Sequence, residues 1–151
     1  MKATELMIGD WVCLKDDTKC EFPLKVDGVL TNDISLEGEG FLGGVDGLIR
    51  PIPLTPEILE KNEWKSDNNI SECLGIEVFA SEKNKCCVEF DGEDEYSFNT
   101  YERWEDTDYY GAPMDWGYRY ITSICHLRYV HELQRALRLC GLNELADNFK
   151  V

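Results

Sequence analysis

Thiols and imidazoles are the side chains of this sequence best suited to metal or nucleophilic chemistry. Cys125, His126 and His131 lie closest together, and thiolate and imidazole are good zinc ligands. Histidines that share a helix face are three or four residues apart, whereas His126 and His131 are five apart, and the chain has no pair of cysteines separated by two residues. We therefore predict no metal site, and a capping or hydrogen-bonding role for these histidines.

A cysteine nucleophile with a histidine base is the second kind of chemistry to consider, since the two need only be close in space. No local motif singles out one cysteine of the seven, and their odd number and irregular spacing do not suggest a disulfide framework. We predict reduced thiols that mostly pack in the core, and no catalytic residue. The cysteines are Cys13, Cys20, Cys73, Cys86, Cys87, Cys125 and Cys140.

Alternating acids suggest a calcium loop, but the pattern is incomplete. Asp91, Glu93 and Glu95 alternate, and Glu102 follows eleven residues after the first. An EF-hand needs glycine at the sixth position of its loop, where this chain has Tyr96. A solvated hairpin turn explains these acids better.

The stretch YERWEDTDYYGAPMDWGYRY combines aromatic and acidic residues without a regular amphipathic pattern. Tyrosine and tryptophan offer large contact areas at low entropic cost, so protein interfaces favour them. This predicts a binding surface, and a long surface loop whose aromatics fold back on a sheet is an equally open interpretation. Carboxylates near aromatic platforms also occur in glycoside hydrolases, which is the weakest of the three interpretations. The predicted binding residues are Tyr101, Trp104, Tyr109, Tyr110 and Trp116.

The charge of the chain limits its partners. Thirty acidic and fifteen basic residues give a formal charge of -15, and residues 89–115 contain ten acids and one base. This charge repels nucleic acids and anionic membranes, so we expect no direct nucleic-acid binding. A local concentration of carboxylates could instead mimic a nucleic acid and occupy a basic DNA-binding protein. The start of the chain lacks a secretory pattern and no apolar run is long enough to span a bilayer, so we expect a cytoplasmic protein that does not enter membranes.

The hydrophobic pattern predicts an α+β protein in two parts. Short strands separated by turn residues predict a small closed or half-closed β-barrel over residues 1–53. In residues 54–151, Thr55 and Pro56 begin a linking helix that ends near Asn62, and alternating strands then form an antiparallel meander. Val130, Leu133, Leu137 and Cys140 mark the buried stripe of a helix from about Leu127 to Cys140, which we expect to pack on the meander.

Three stretches resemble a family of small uncharacterised proteins of gut Bacteroidetes, their phages and mobile elements. They are LMIGDWV near the start, PIPLTPEIL in the middle and LRYVHELQRAL near the end, so the resemblance spans most of the chain. It departs from the family pattern after the last stretch, where this chain has CGLNELADNF, and residues 99–117 match no part of it. The resemblance implies an SH3-like barrel followed by an α+β part, and it carries over no activity, cofactor or catalytic residue. We therefore expect a non-catalytic interaction module with a protein partner, and the sequence leaves its oligomeric state open.

Overall fold

A computed structural model describes residues 2–14, 23–31, 33–43, 47–67, 71, 76–90, 92, 95–107 and 113–151, with the backbone alone at 103–107 and 113–118. The chain divides into two compact units. The first comprises Met1–Asn62 and Arg128–Val151, and the second comprises Glu63–Leu127. The first unit thus includes the C-terminal helices, and its limits differ from the division after residue 53 that we predicted.

Five antiparallel strands form the sheet of the first unit, in the order β4-β3-β2-β1-β5. Buried aliphatic side chains such as Val12, Val26 and Leu36 form the core on one face of this sheet. Neighbours in the order pair with each other, and β4 and β5 stand at opposite ends, so the described strands form an open sheet. The predicted SH3-like barrel is therefore not confirmed, although the α+β class is. The strands are β1 (Trp11–Leu14), β2 (Pro23–Val29), β3 (Ile34–Leu36), β4 (Gly40–Leu42) and β5 (Ile49–Pro51).

The chain after β5 pairs with the segment that leads into the C-terminal helix. Pro53 bridges Tyr129, and Leu54 N and Val130 N donate to the carbonyls of Arg128 and Ile52 at 2.9 Å each. Helix α1 (Pro56–Lys61) follows, with the Thr55 hydroxyl accepting from Ile58 N as its N-cap. Pro56 suits the first turn because its missing N–H has no helical partner to lose. The predicted linking helix is confirmed.

Helix α2 (Val130–Leu139) and helix α3 (Asn143–Asp147) complete the first unit. Val130, Leu133 and Leu137 are fully buried, as the helical stripe predicted, whereas Cys140 at its end is only half-buried. The partner of α2 differs from our expectation, because its polar residues bind the turn before β1. Gln134 Oε1 accepts from Trp11 N at 3.1 Å, and Arg138 pairs with Asp10 at 2.6 Å. The C-terminal helix therefore belongs to the unit of the N-terminal sheet and not, as we expected, to the part that contains the meander.

The second unit is an antiparallel meander in the order β10-β9-β8-β7-β6, so its strands are neighbours in chain order as predicted. Its middle strands are buried on both faces, which is why adjacent residues such as Cys86 and Cys87 are both inaccessible. Trp64 packs edge-on against Phe98, with ring centres 6.4 Å apart. The strands are β6 (Lys65–Ser66), β7 (Glu77–Ser81), β8 (Cys86–Phe90), β9 (Tyr96–Thr107) and β10 (Pro113–Leu127).

Candidate interaction surface

The segment that we predicted to bind a partner forms a long β-hairpin. Strands β9 and β10 pair from Tyr96 opposite Leu127 to Thr107 opposite Pro113. The next strand, β8, pairs with β9 only as far as Thr100. Beyond this point, residues 101–107 of β9 and 113–120 of β10 pair with each other alone among the described strands. We call this two-stranded extension the ribbon.

The root of the ribbon is anchored by a polar cluster on the sheet. The Tyr120 hydroxyl donates a hydrogen bond to Glu89 Oε1 and contributes to the surroundings of the Cys87 thiol. Burial of Tyr120 and its bond to the Glu89 carboxylate both raise the pKa of the phenol, so its proton stays in place as a donor. Next to Tyr120 on β10, Arg119 forms an exposed ion pair with Glu102 of β9 at 3.7 Å.

A β-bulge between Tyr120 and Thr122 marks the place where the ribbon leaves the sheet. Tyr120 pairs with Tyr101 and Thr122 with Thr100, which leaves Ile121 as the extra residue. Ile121 is 65 % exposed and Tyr120 is 41 % exposed. Sequence reasoning missed Ile121, because a strand pattern does not reveal where a bulge turns a side chain outward.

The structure separates the five predicted binding residues. Tyr101 is only 5 % exposed and packs with Val78, Ala80 and Cys87, so its ring serves the core and not a surface. Trp104 and Trp116 lie on the ribbon, where their backbones pair with Gly117 and Glu105. Tyr109 and Tyr110 lie outside the described residues. The ribbon therefore contains Trp104 and Trp116 at successive positions of its two strands, whereas Tyr101 at its root belongs to the core.

The described cysteines differ in burial, in the pKa of the thiol and in whether they form a disulfide. Burial raises the pKa of the Cys87 thiol to about 12, with the Glu89 carboxylate adding to the shift, so this thiol stays protonated and unreactive. Burial also raises the pKa of Cys140. Cys86 and Cys87 are buried free thiols, whereas Cys125 is exposed. Cys13 is disulfide-bonded, so the expectation of seven reduced cysteines is wrong at this position.

The two histidines lie in different units and in different surroundings. His126 has a left-handed backbone conformation (φ 64°), and its exposed ring bonds Glu95 through Nδ1 at 2.6 Å. His131 is 5 % exposed and stacks on Tyr129, with ring centres 5.9 Å apart. Burial lowers the pKa of His131, which favours its neutral form. Within the described part of the chain, no three metal-ligating side chains come together.

The Gly9-Asp10-Trp11 stretch and α2 together form a set of buried contacts that we call the polar latch. The Gln134 amide donates to the carbonyls of Gly9 and Ala146, at 2.9 Å each, while its oxygen accepts from Trp11 N. The Trp11 indole N–H donates to Phe149 O at 2.7 Å. Each contact joins residues that are far apart in sequence or belong to different helices. These contacts therefore hold the turn before β1, α2 and the C-terminal segment of the first unit together.

No family model matches the chain, and neither a characterised protein nor a solved structure is significantly similar to it. The resemblance to small proteins of gut Bacteroidetes and mobile elements therefore stays a prediction. In the residues that the structure describes, no helix has the length and hydrophobicity needed to cross a bilayer.

Proposed function

We propose that this protein is a non-catalytic interaction module that binds a basic protein partner through the ribbon. The pairing of β9 and β10 beyond the limit of β8 is the observation that carries this proposal. Two-stranded hairpins are only marginally stable on their own, so a ribbon of this length gains stability when a partner covers it.

The charge of the ribbon indicates the chemistry of the partner. Residues 101–120 contain five acids, at Glu102, Glu105, Asp106, Asp108 and Asp115, and two bases, at Arg103 and Arg119. One of these bases, Arg119, already pairs with Glu102. A net negative surface steers a positively charged partner toward the ribbon, and the aromatic residues then supply the contact area.

The test is capture of a partner from native lysate by the tagged protein, followed by measurement of its affinity for the purified partner. Trp104→Ala and Trp116→Ala should each weaken binding by at least about tenfold, as expected for aromatic residues at the centre of an interface. Leu139→Ala is the matched control, because Leu139 is 80 % exposed on α2 of the other unit. Binding should also weaken when the salt concentration of the assay buffer is raised from about 50 to about 300 mM, because salt screens the attraction between exposed charges. Binding that survives both aromatic substitutions and is insensitive to salt contradicts the proposal.

A second candidate function is nucleic-acid mimicry, in which the same ribbon occupies a DNA-binding protein. Asp106 and Asp115 are directly opposed in register. Glu95 is less suitable for mimicry, since its carboxylate bonds His126.

Competition distinguishes the two functions. If the protein is a mimic, double-stranded DNA displaces it from its partner, and Asp106→Asn with Asp115→Asn abolishes that competition while Trp104→Ala does not. If it is an interaction module of the first kind, DNA leaves the complex intact and the aromatic substitutions have the larger effect.

A further inference from the structure

The outer edge of β10 has no strand paired with it in the part of the chain that the structure describes. β10 stands at the end of the sheet, and its described partner is β9. The register between the two strands is continuous over residues 115–120 of β10, from Asp115 opposite Asp106 to Tyr120 opposite Tyr101, with a bulge on either side. We call the outer side of residues 115–120 the open edge. Such an edge presents backbone N–H and C=O groups that can pair with another strand.

Gly117 lies in the middle of the open edge. A glycine inside a strand weakens that strand and often marks a bulge or a place where another backbone comes close. Gly117 pairs with Trp104, and the residues on either side of it pair in unbroken register, so the ribbon has no bulge there. The continuous register favours the close approach of another backbone at this position.

The charges of β10 make the open edge complementary to itself. Asp115 is the one acid of β10 and Arg119 is its one arginine, and each lies two residues from Gly117. When two copies of β10 lie antiparallel with Gly117 opposite Gly117, Asp115 of each copy lies opposite Arg119 of the other. Opposite charges in this position stabilise a pair of strands, and the same register places Trp116 opposite Tyr118, an aromatic pair that also stabilises.

This register is the single antiparallel register that places Asp115 opposite Arg119, because β10 has one residue of each kind. A parallel arrangement in register would place each charge opposite itself, which destabilises a pair of strands. The sequence of β10 thus selects both the direction and the register of a second copy.

The pairing inside the ribbon gives a further reason for an arginine beside Asp115. Asp106 and Asp115 are opposite each other, and like charges in this position destabilise a pair of strands. The arginine of the same chain lies elsewhere, since Arg119 is opposite Glu102 and pairs with its carboxylate at 3.7 Å. In the self-complementary register, the second copy places its own arginine on the other side of Asp115, which reduces the repulsion between the two aspartates.

We infer that two copies of this chain associate through the open edge, as an antiparallel pair of β10 strands with Gly117 on the two-fold axis. The two ribbons then form one four-stranded sheet, which is more stable than two separate two-stranded hairpins. The interface uses the backbone edge of β10 and needs no other protein, so the inference goes beyond the proposed function. Because the paired stretch is short, the dimer should be weak, with a Kd on the order of 100 µM.

The test is sedimentation equilibrium of the purified full-length chain over about 10 to about 500 µM, in about 150 mM salt so that the long-range repulsion between two negatively charged copies is screened. The average mass should rise toward that of a dimer. Asp115→Arg and Arg119→Asp should each raise the dimer Kd by at least about tenfold, because each places like charges opposite each other twice. An equimolar mixture of the two variants should form dimers again, since the arginines of one variant then lie opposite the aspartates of the other.

Glu77→Arg and Lys65→Asp are the matched controls. They make the same changes of charge at exposed positions of β7 and β6 in the same sheet, and the dimer Kd should stay within about twofold of its original value. Circular dichroism shows whether each variant is folded.

A cross-linking experiment tests the register without changing a charge. Directly opposite Cα atoms of antiparallel strands are about 4.5–5.5 Å apart, within the range that a disulfide can bridge. In a Cys125→Ser background, Gly117→Cys should therefore form a cross-linked dimer with oxidised glutathione. Tyr118→Cys in the same background should cross-link at least about tenfold more slowly, because its opposite residue is Trp116.

A chain that stays monomeric at every concentration overturns the inference, as does a dimer that both charge reversals leave intact. A mixture of the two charge variants that stays monomeric, or equal cross-linking at the two cysteine positions, also overturns it. If a charge variant does not fold, the comparison of the two cysteine variants decides.

Discussion

Removal of the Asp10 carboxylate tests the role of the polar latch most sharply. Asp10 is fully buried, pairs with Arg138 at 2.6 Å and also accepts from Met7 N at 2.9 Å. Breaking a buried ion pair by removing one partner costs about 3–5 kcal/mol, because the other charge stays buried. Arg138 retains Asp147 at 3.3 Å, so we expect Asp10→Ala to lower the free energy of unfolding of the first unit by about 3 kcal/mol, at the lower end of that range.

A double-mutant cycle isolates the Asp10–Arg138 interaction. Asp10→Ala, Arg138→Met and the double variant are unfolded in urea, and the Trp11 indole N–H resonance reports on the latch through its bond to Phe149 O. The coupling energy should be about 2 kcal/mol, within the range for side chains in direct contact. Asp147→Ala is the matched control. Its carboxylate is 61 % exposed, so its loss should cost less than about 1 kcal/mol. A loss below about 1 kcal/mol for Asp10→Ala, or additive single effects, refutes a structural role for this pair.

Three further predictions concern single side chains. Burial holds the pKa of His131 in the folded chain below its ordinary value of 6.5. As pH falls, His131 therefore binds a proton at a higher pH in the unfolded chain than in the folded chain. The first unit should therefore lose stability as pH falls below about 6.5, and urea unfolding of His131→Gln should show a shallower pH dependence; an unchanged slope contradicts this. Cys125 should react with iodoacetamide at pH 8 at least about a hundredfold faster than Cys87, whose thiol is protonated at that pH, and mass spectrometry of the peptides measures both rates. Since a disulfide at Cys13 uses two of the seven cysteines, thiol titration of the unreduced, denatured protein should find at most five free thiols; seven thiols contradict the disulfide.

Local patterns predicted the helices well, because helix periodicity and caps depend on neighbouring residues. The stripe at Val130, Leu133 and Leu137 is buried as expected. Gly141 follows the C-cap residue of α2 and adopts the left-handed conformation (φ 77°) that commonly ends a helix. The packing partner of α2 was not predictable. It depends on the contact between Gln134 and Trp11, which are 123 residues apart, and no periodic pattern contains that information.

The ribbon was not predicted as a pair of strands for a different physical reason. Alternating polar and apolar residues predict a strand only when one face of that strand is buried against a core. Residues 101–107 and 113–120 pair with each other beyond the rest of the sheet, so their sequence alternates only weakly. The aromatic and acidic composition led us to predict a binding surface in this segment, but composition could not show that Tyr101 turns into the core.

Hydrogen exchange of the full-length protein, with and without its captured partner, tests the proposed interaction surface most directly. Amides of the ribbon should exchange quickly in the free protein and at least about tenfold more slowly in the complex, because a partner that covers the ribbon suppresses its opening. Amides of α2 serve as the internal reference and should change little. Protection confined to residues outside 101–120, with the ribbon exchanging equally fast in both states, would contradict the account.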